Sequence, residues 1–85
     1  MEEQVWSDIE VTWNSQWKYW EIYGDNIESG EYEWLGHSDL KKYAVDDAMI
    51  YAFDTAAGPA RSKVVKIYSK TGKLLSTKEG HDGQQ

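Results

Sequence analysis

The chain reads as an α+β domain in which an antiparallel sheet of four to five strands packs on one α-helix, in the order β-β-(β)-α-β-β. Three observations predict it. Val45 to Ala57 carries apolar residues at helical spacing, runs on either side of it alternate with period two, and the breaks between those runs are short and made of turn-forming residues.

In the helical segment Ala48, Ala52 and Ala56 recur every four residues beside Val45, Met49 and Phe53, while Asp46, Asp47 and Asp54 fall opposite. Three alanines along one line let a helix axis approach a sheet closely, with Met49 and Phe53 filling the flanks. Asp46 and Asp47 suit the first turn, where a carboxylate meets the positive end of the helix dipole, and Gly58 followed by Pro59 suits a stop. Ser38 offers an earlier cap. Starting there, however, puts Lys41 in the middle of the apolar stripe, so Asp39 to Lys42 is expected to be a separate turn or a poorly packed first turn.

Ahead of the helix, residues 4 to 13 alternate with Val5, Ile9, Val11 and Trp13 on one face and Trp6, Asp8, Glu10 and Thr12 on the other. Asn14, Ser15 and Gln16 connect this strand to a second, Trp17 to Tyr23, rich in β-favouring side chains. Trp20 and Ile22 are its more apolar pair and should face the helix. That leaves Trp17, Tyr19, Glu21 and Tyr23 as an outward row. Gly24, Asp25 and Asn26 read as a turn, with another break at Ser29 and Gly30. Glu31 to Leu35 then alternates acid with aromatic as a short third strand, a pattern compatible with Tyr32 and Trp34 turned inward and Glu31 and Glu33 outward. After the helix, Val64 to Tyr68 and Lys73 to Thr77 flank a Gly72-containing turn and form a hairpin. Residues 1 to 79 thus constitute one small domain, and 80 to 85 have nothing to bury and read as a disordered tail.

The second half of this pattern, with Ala48 and Ala52 on a helix, Val64, Val65 and Ile67 on a strand and Gly72 in a lysine-rich turn, resembles a family of small bacterial and phage domains of unknown function. Trp20 sits where the second strand of that family often carries a tryptophan. The resemblance extends over residues 17 to 79 and implies a strand-strand-helix-strand-strand plan. The acidic insert from Asn26 to Lys42 departs from the family's short link. No activity follows from the resemblance.

At 85 residues the chain holds one core, and its five Trp and six Tyr supply bulk that aliphatic residues give larger proteins. With no cysteine, thiolate catalysis, zinc-thiolate sites and disulfides are ruled out. No run approaches the roughly 18 apolar residues of a membrane span, and the start Met1-Glu2-Glu3 lacks a leader's basic region, so a soluble, unprocessed cytoplasmic protein is expected. The net charge of −6 is unevenly spread: residues 1–54 hold 13 acidic side chains against 3 lysines, residues 55–85 hold 6 basic against 2 acidic. An acidic face and a basic patch follow, or an attraction between the two halves.

Chemistry-bearing motifs are absent. No GxGxxG, P-loop or GxSxG occurs. His37, two residues before Asp39, has the spacing for a carboxylate-oriented imidazole, but a loop histidine without a third partner is ordinarily solvated, and His81 lies in the tail. Asp46 and Asp47, adjacent on a helix, diverge rather than pair. Glu31 and Glu33 on one strand face fall short of the oxygens a hard cation needs. No catalytic residue, metal site or cofactor is expected, and the chain is not read as an enzyme.

Protein recognition remains. Trp17, Tyr19, Glu21, Tyr23, Glu31, Glu33 and Trp34 combine hot-spot aromatics with carboxylates that would select a basic protein partner. A small acidic interaction module of the kind phages use to block a basic, nucleic-acid-binding surface of a host protein fits this composition. The alternatives are single-stranded nucleic-acid binding by the aromatic row beside the basic hairpin, against which the acidic charge argues, and a homodimer that merely closes the aromatic face.

Overall fold

The computed structural model describes residues 5–53 and 61–79. Five strands, β1 (Trp6–Asn14), β2 (Tyr19–Asn26), β3 (Tyr32–Ser38), β4 (Val64–Tyr68) and β5 (Leu74–Glu79), form one sheet in the order β3-β2-β1-β4-β5, with helix α1 (Lys41–Phe53) between β3 and β4 in sequence. The α+β class and the element order are those expected from sequence. The sheet is mixed, however, because β1 and β4 are parallel whereas every other neighbouring pair is antiparallel. Chain direction explains it. Two hairpin reversals leave β3 running with β1, the helix carries the chain back, and β4 must start from the end where β3 started; placed beside β1, it can only be parallel to it.

The helix lies across β1 to β4 and leaves β5 uncovered. Ala44, Ala48 and Ala52 are fully buried at the contact, against Ile9, Val11, Ile22 and Val65 at no exposure from the sheet. Val45, Met49, Tyr51 and Phe53 close the flanks. Ala56, Asp54, Gly58, Pro59 and the tail lie outside the described residues.

The helix begins at Lys41, one turn before the expected Val45. The Leu40 carbonyl accepts the first helical bonds from the amides of Tyr43 and Ala44, and Ser38 Oγ accepts from the Leu40 amide. Lys41, the residue that argued against this start, holds its ammonium 5.1 Å from the centre of the Trp20 ring, so an aromatic face rather than water receives the charge. Asp46 and Asp47 consequently fall beyond the first turn, which carries no acid; the dipole role assigned to them does not hold. The chain end of the helix is tied back where the Ala52 carbonyl accepts the amides of Arg61 and Ser62, 2.8 and 3.3 Å away.

Three sequence-based placements are corrected. Trp6, expected on the outer face, is 8% exposed in the core, because the ladder between β1 and β2 shifts between Trp6 and Ile9 and turns its side chain inward. Its indole packs edge-on to Tyr51 and lies directly over Gly24. Gly24 is therefore not a turn residue; β2 runs through it to Asn26, and its missing side chain is what makes room for the indole. At the other end of β2, Lys18 has φ of 63° and residues 15–18 form the turn, held by Asn14 Oδ1 accepting the amides of Gln16 and Trp17. Trp17, expected to open the second strand, sits in this turn.

A Cβ built on Gly24 would come within 2.5 Å of Trp6 Cδ1. Gly24→Ala should cost about 1–3 kcal/mol by overpacking, read as a lowered urea midpoint. In a Trp6→Ala background the same change should cost almost nothing; equal costs in both backgrounds would show that the indole is not the cause.

Candidate functional site

No described residue covers the sheet face opposite α1, and the strand registers define what it displays. Paired residues point to the same side of a sheet. One row crosses all five strands as Trp34, Tyr23, Glu10, Lys66 and Thr77. Toward one end lie His37, Glu21 and Thr12, then Tyr19 beside Asn14; toward the other lie Tyr32 beside Asp25, and Asp8 beside Val64. A cleft of about 520 Å³ runs above β1, with Glu10 and Thr12 on its floor, Tyr32 on one wall, and Tyr68 with the turn Ser69–Gly72 on the other.

Four of the seven residues singled out from sequence meet on this face: Tyr19, Glu21, Tyr23 and Trp34. Trp17 is 65% exposed in the β1–β2 turn, outside the strand row. Glu31 precedes β3, where its carbonyl accepts the Asn26 amide. Glu33 lies on the helix side: its carboxylate accepts Trp6 Nε1 at 2.9 Å and Asn26 Nδ2 at 3.0 Å. The side-chain order of β3 is thus the reverse of the inward-aromatic arrangement. Tyr32 and Trp34, 60% and 50% exposed, face outward, and Glu33 faces the core edge. A further register shift between Ile22 and Tyr23 of β2 gives β3 an extra residue, Leu35, which packs against the core while Trp34 and His37 stay on the open face.

Glu21 works within the site. It is 9% exposed and gathers the neighbouring side chains: Oε1 accepts from the Tyr23 hydroxyl at 3.3 Å, and Oε2 accepts Asn14 Nδ2 at 3.2 Å and Trp34 Nε1 at 3.3 Å. Its carboxylate sets the orientation of two aromatic rings rather than offering itself to solvent. Burial together with the Glu21 carboxylate holds the Tyr23 hydroxyl above its ordinary pKa. Tyr19, His37 and Trp34 form a continuous stack, with ring centres 4.5 Å and 5.6 Å from His37. His37 lies in β3, not in a loop, and its neighbours are rings rather than the Asp39 carboxylate that its spacing suggested.

Glu10 on the floor shares the open face with Asp8 and Asp25, and Lys66 answers this acidic group with its ammonium 3.0 Å from Asp8 Oδ2. The hydrogen bond and charge of Asp8 raise the Lys66 pKa. Asp8 Oδ1 is buried without a hydrogen bond among the described residues. Desolvation, then the Asp8 charge, raises the Glu10 pKa, while Lys66 and a hydrogen bond with Tyr32 act the other way. In turn the Glu10 charge raises the Tyr32 hydroxyl. The sequence placed Asp8, Glu10 and Thr12 on the outer face by alternation; what it did not show was that β1 is the middle strand, which turns that polar face into the floor of a cleft.

Among the described residues no group of three or more His, Asp or Glu is placed to hold a metal ion, and no helix is long and apolar enough to cross a membrane. No family model matches the chain, and no curated protein or solved structure matches it significantly.

A carboxyl with a raised folded-state pKa takes up its proton sooner in the folded chain than in the unfolded one, so folding stability falls as pH rises through that pKa. Glu10→Gln should therefore raise the melting temperature at pH 7, and the gain should shrink to nothing below the ordinary carboxyl value of 4.5. Parallel pH–stability curves for the two proteins, measured by thermal denaturation, would contradict the assignment.

Proposed function

We propose that the chain is a non-enzymatic interaction module whose open sheet face docks a basic segment of a protein partner. The observation that carries this reading is the cleft over β1, where the Glu10 carboxylate lies between the exposed ring of Tyr32 and the Tyr68 side chain, with Asp8, Asp25 and Trp34 on the same face beyond it. Arginine or lysine entering such a cleft meets charge on its floor and aromatic faces on its walls, and both favour a cation. Tyr32 and Trp34 would be the anchors, Tyr19 and Tyr23 the surrounding contacts, and Glu21 the group that holds the rings in place. Trp17 extends the same end of the sheet. Glu33 is assigned to the fold and Glu31 to the rim.

Among the described residues no histidine lines this cleft, and His37, on the same face, stacks between the Tyr19 and Trp34 rings, which favours binding over catalysis. In its sharpest form the reading is an acidic inhibitor, acting in the cytoplasm, that occupies a basic nucleic-acid-binding surface of another protein, as phage products do to host enzymes. That form rests on composition and charge. A second reading draws on the Tyr19–His37–Trp34 stack, which offers a platform for unstacked bases. The carboxylates beside it repel phosphate, so the protein reading is preferred.

Binding to a short labelled Lys/Arg-rich peptide and to a labelled single-stranded oligonucleotide should separate the two. The peptide is expected to bind and to weaken with added salt. Tyr32→Ala with Trp34→Ala should weaken it by at least about tenfold, or about 1.4 kcal/mol, while the melting temperature moves by only a few degrees. Unchanged peptide affinity in this variant, or an oligonucleotide that binds more tightly than the peptide at low salt, would overturn the reading.

A further inference from the structure

We infer that the two edges of the sheet are complementary, and that a second copy of this chain pairs its β3 edge with the β5 edge of the first, head to tail. Three independent features lead there. The first is exposure: every residue of β5 is exposed, α1 does not cover it, and β3 ends the sheet on the other side. Both strands therefore present unpaired backbone groups among the described residues.

The second is direction. β3 runs with β1, and β5 runs against β4 and hence against β1. A copy translated along the sheet, with its helix on the same side, brings its β3 beside β5 in the antiparallel sense, the more favourable of the two pairings. No inversion of the molecule is needed.

The third is charge, and it selects this pairing over the symmetric ones. On the helix side one row crosses the sheet as Glu33, Gly24, Ile9, Val65 and Lys78. It begins with a carboxylate on one edge and ends with an ammonium on the other. The donors that Glu33 accepts, the Trp6 indole and the Asn26 amide, are neutral, so its charge stays uncompensated by them. Glu31 lies two residues ahead of Glu33, Lys73 lies at the far end of β5 from Lys78, and Glu79 of β5 pairs with Val64 on the open side, away from this row. Joining two β5 edges would set lysines against lysines, and joining two β3 edges would set glutamates against glutamates. Only the unlike edges attract.

Next to β5, on the helix side, a groove of about 410 Å³ is floored by Val45, Ile67 and Leu75 and rimmed by Lys41, Lys42 and Lys78. In the paired arrangement the incoming β3 brings Leu35 and Glu33, the helix-side residues of that strand, to the margin of this groove. An apolar side chain thereby meets an apolar floor and a carboxylate meets the lysine rim. The open face is left clear, and each added copy repeats it.

Sedimentation velocity over a range of concentrations tests the arrangement. At low salt the protein is expected to form dimers and larger open-ended species that dissociate on adding salt. Lys73→Glu with Lys78→Glu should be monomeric under the same conditions with an unchanged circular dichroism spectrum, and Glu33→Gln should weaken assembly at least several-fold while keeping an acceptor for Trp6. Because the chain has no cysteine, Thr77→Cys and Trp34→Cys proteins provide a geometric check. Mixed, they should form a disulfide dimer that neither forms alone. A wild-type protein that stays monomeric at low salt, a dimer that survives the lysine reversal, or cross-linking of either cysteine protein with itself would overturn the inference.

Discussion

Close approach of the helix to the sheet is the constraint on which the other features depend. Ala44, Ala48 and Ala52 present only methyl groups to a floor of Ile9, Val11, Ile22 and Val65, and every one of these seven residues is fully buried. A layer this thin has no room between helix and sheet for large rings. The aromatics consequently sit around it: Trp6 at one end over Gly24, Trp13 and Trp20 together at the other with ring centres 5.1 Å apart. Lysines complete that second end, with Lys70 4.4 Å from the Trp13 ring and Lys41 above Trp20. Large indoles on the perimeter of a small core, shielded by ammonium groups and their alkyl stems, substitute for the second layer that a chain this short cannot build.

The alternation of β1 and the alanine spacing of α1 were legible because each reports a local period. So were the inward pair Trp20 and Ile22 and the hairpin around Gly72, whose φ of 89° explains the glycine. What escaped was set by contacts between distant segments. Trp6 broke its alternation because a bulge opposite β2 turned it, and Gly24 looked like a turn because glycine's other use, making way for a ring, depends on a residue 18 positions earlier. Lys41 was read as a flaw in an apolar stripe, whereas a tryptophan from another strand made it a fitting residue. The site was half legible for the same reason. Tyr19, Glu21 and Tyr23 follow from strand period alone, but the one-residue bulge at Leu35 that returns His37 to the side of Trp34 has no signature in sequence.

Charge is partitioned by topology as well as by sequence. The sheet order sets the acidic strands β3, β2 and β1 on one side, and β4, which carries Lys66, and β5, which carries Lys78 and Glu79, on the other. The strands of the two groups meet along the β1–β4 seam, where Asp8 and Lys66 form an ion pair and Glu10 lies opposite Lys66. The seam lies beneath the cleft. The burial that raises Glu10 and the pairing that raises Lys66 are therefore two consequences of running an acidic strand parallel to a basic one.

That parallel seam also bears on how the molecule assembles itself. Every antiparallel contact joins strands adjacent in sequence, whereas β1 and β4 are separated by the whole of β2, β3 and α1. Loop-closure entropy makes such a contact the slow one to form. The N-terminal meander and the C-terminal hairpin are thus two locally closed pieces, joined by a ladder from Asp8 to Val11 on one and Val64 to Ile67 on the other. A chain divided between helix and hairpin would give two fragments, each carrying one side of the seam and opposite net charge, which is the arrangement that fragment complementation requires.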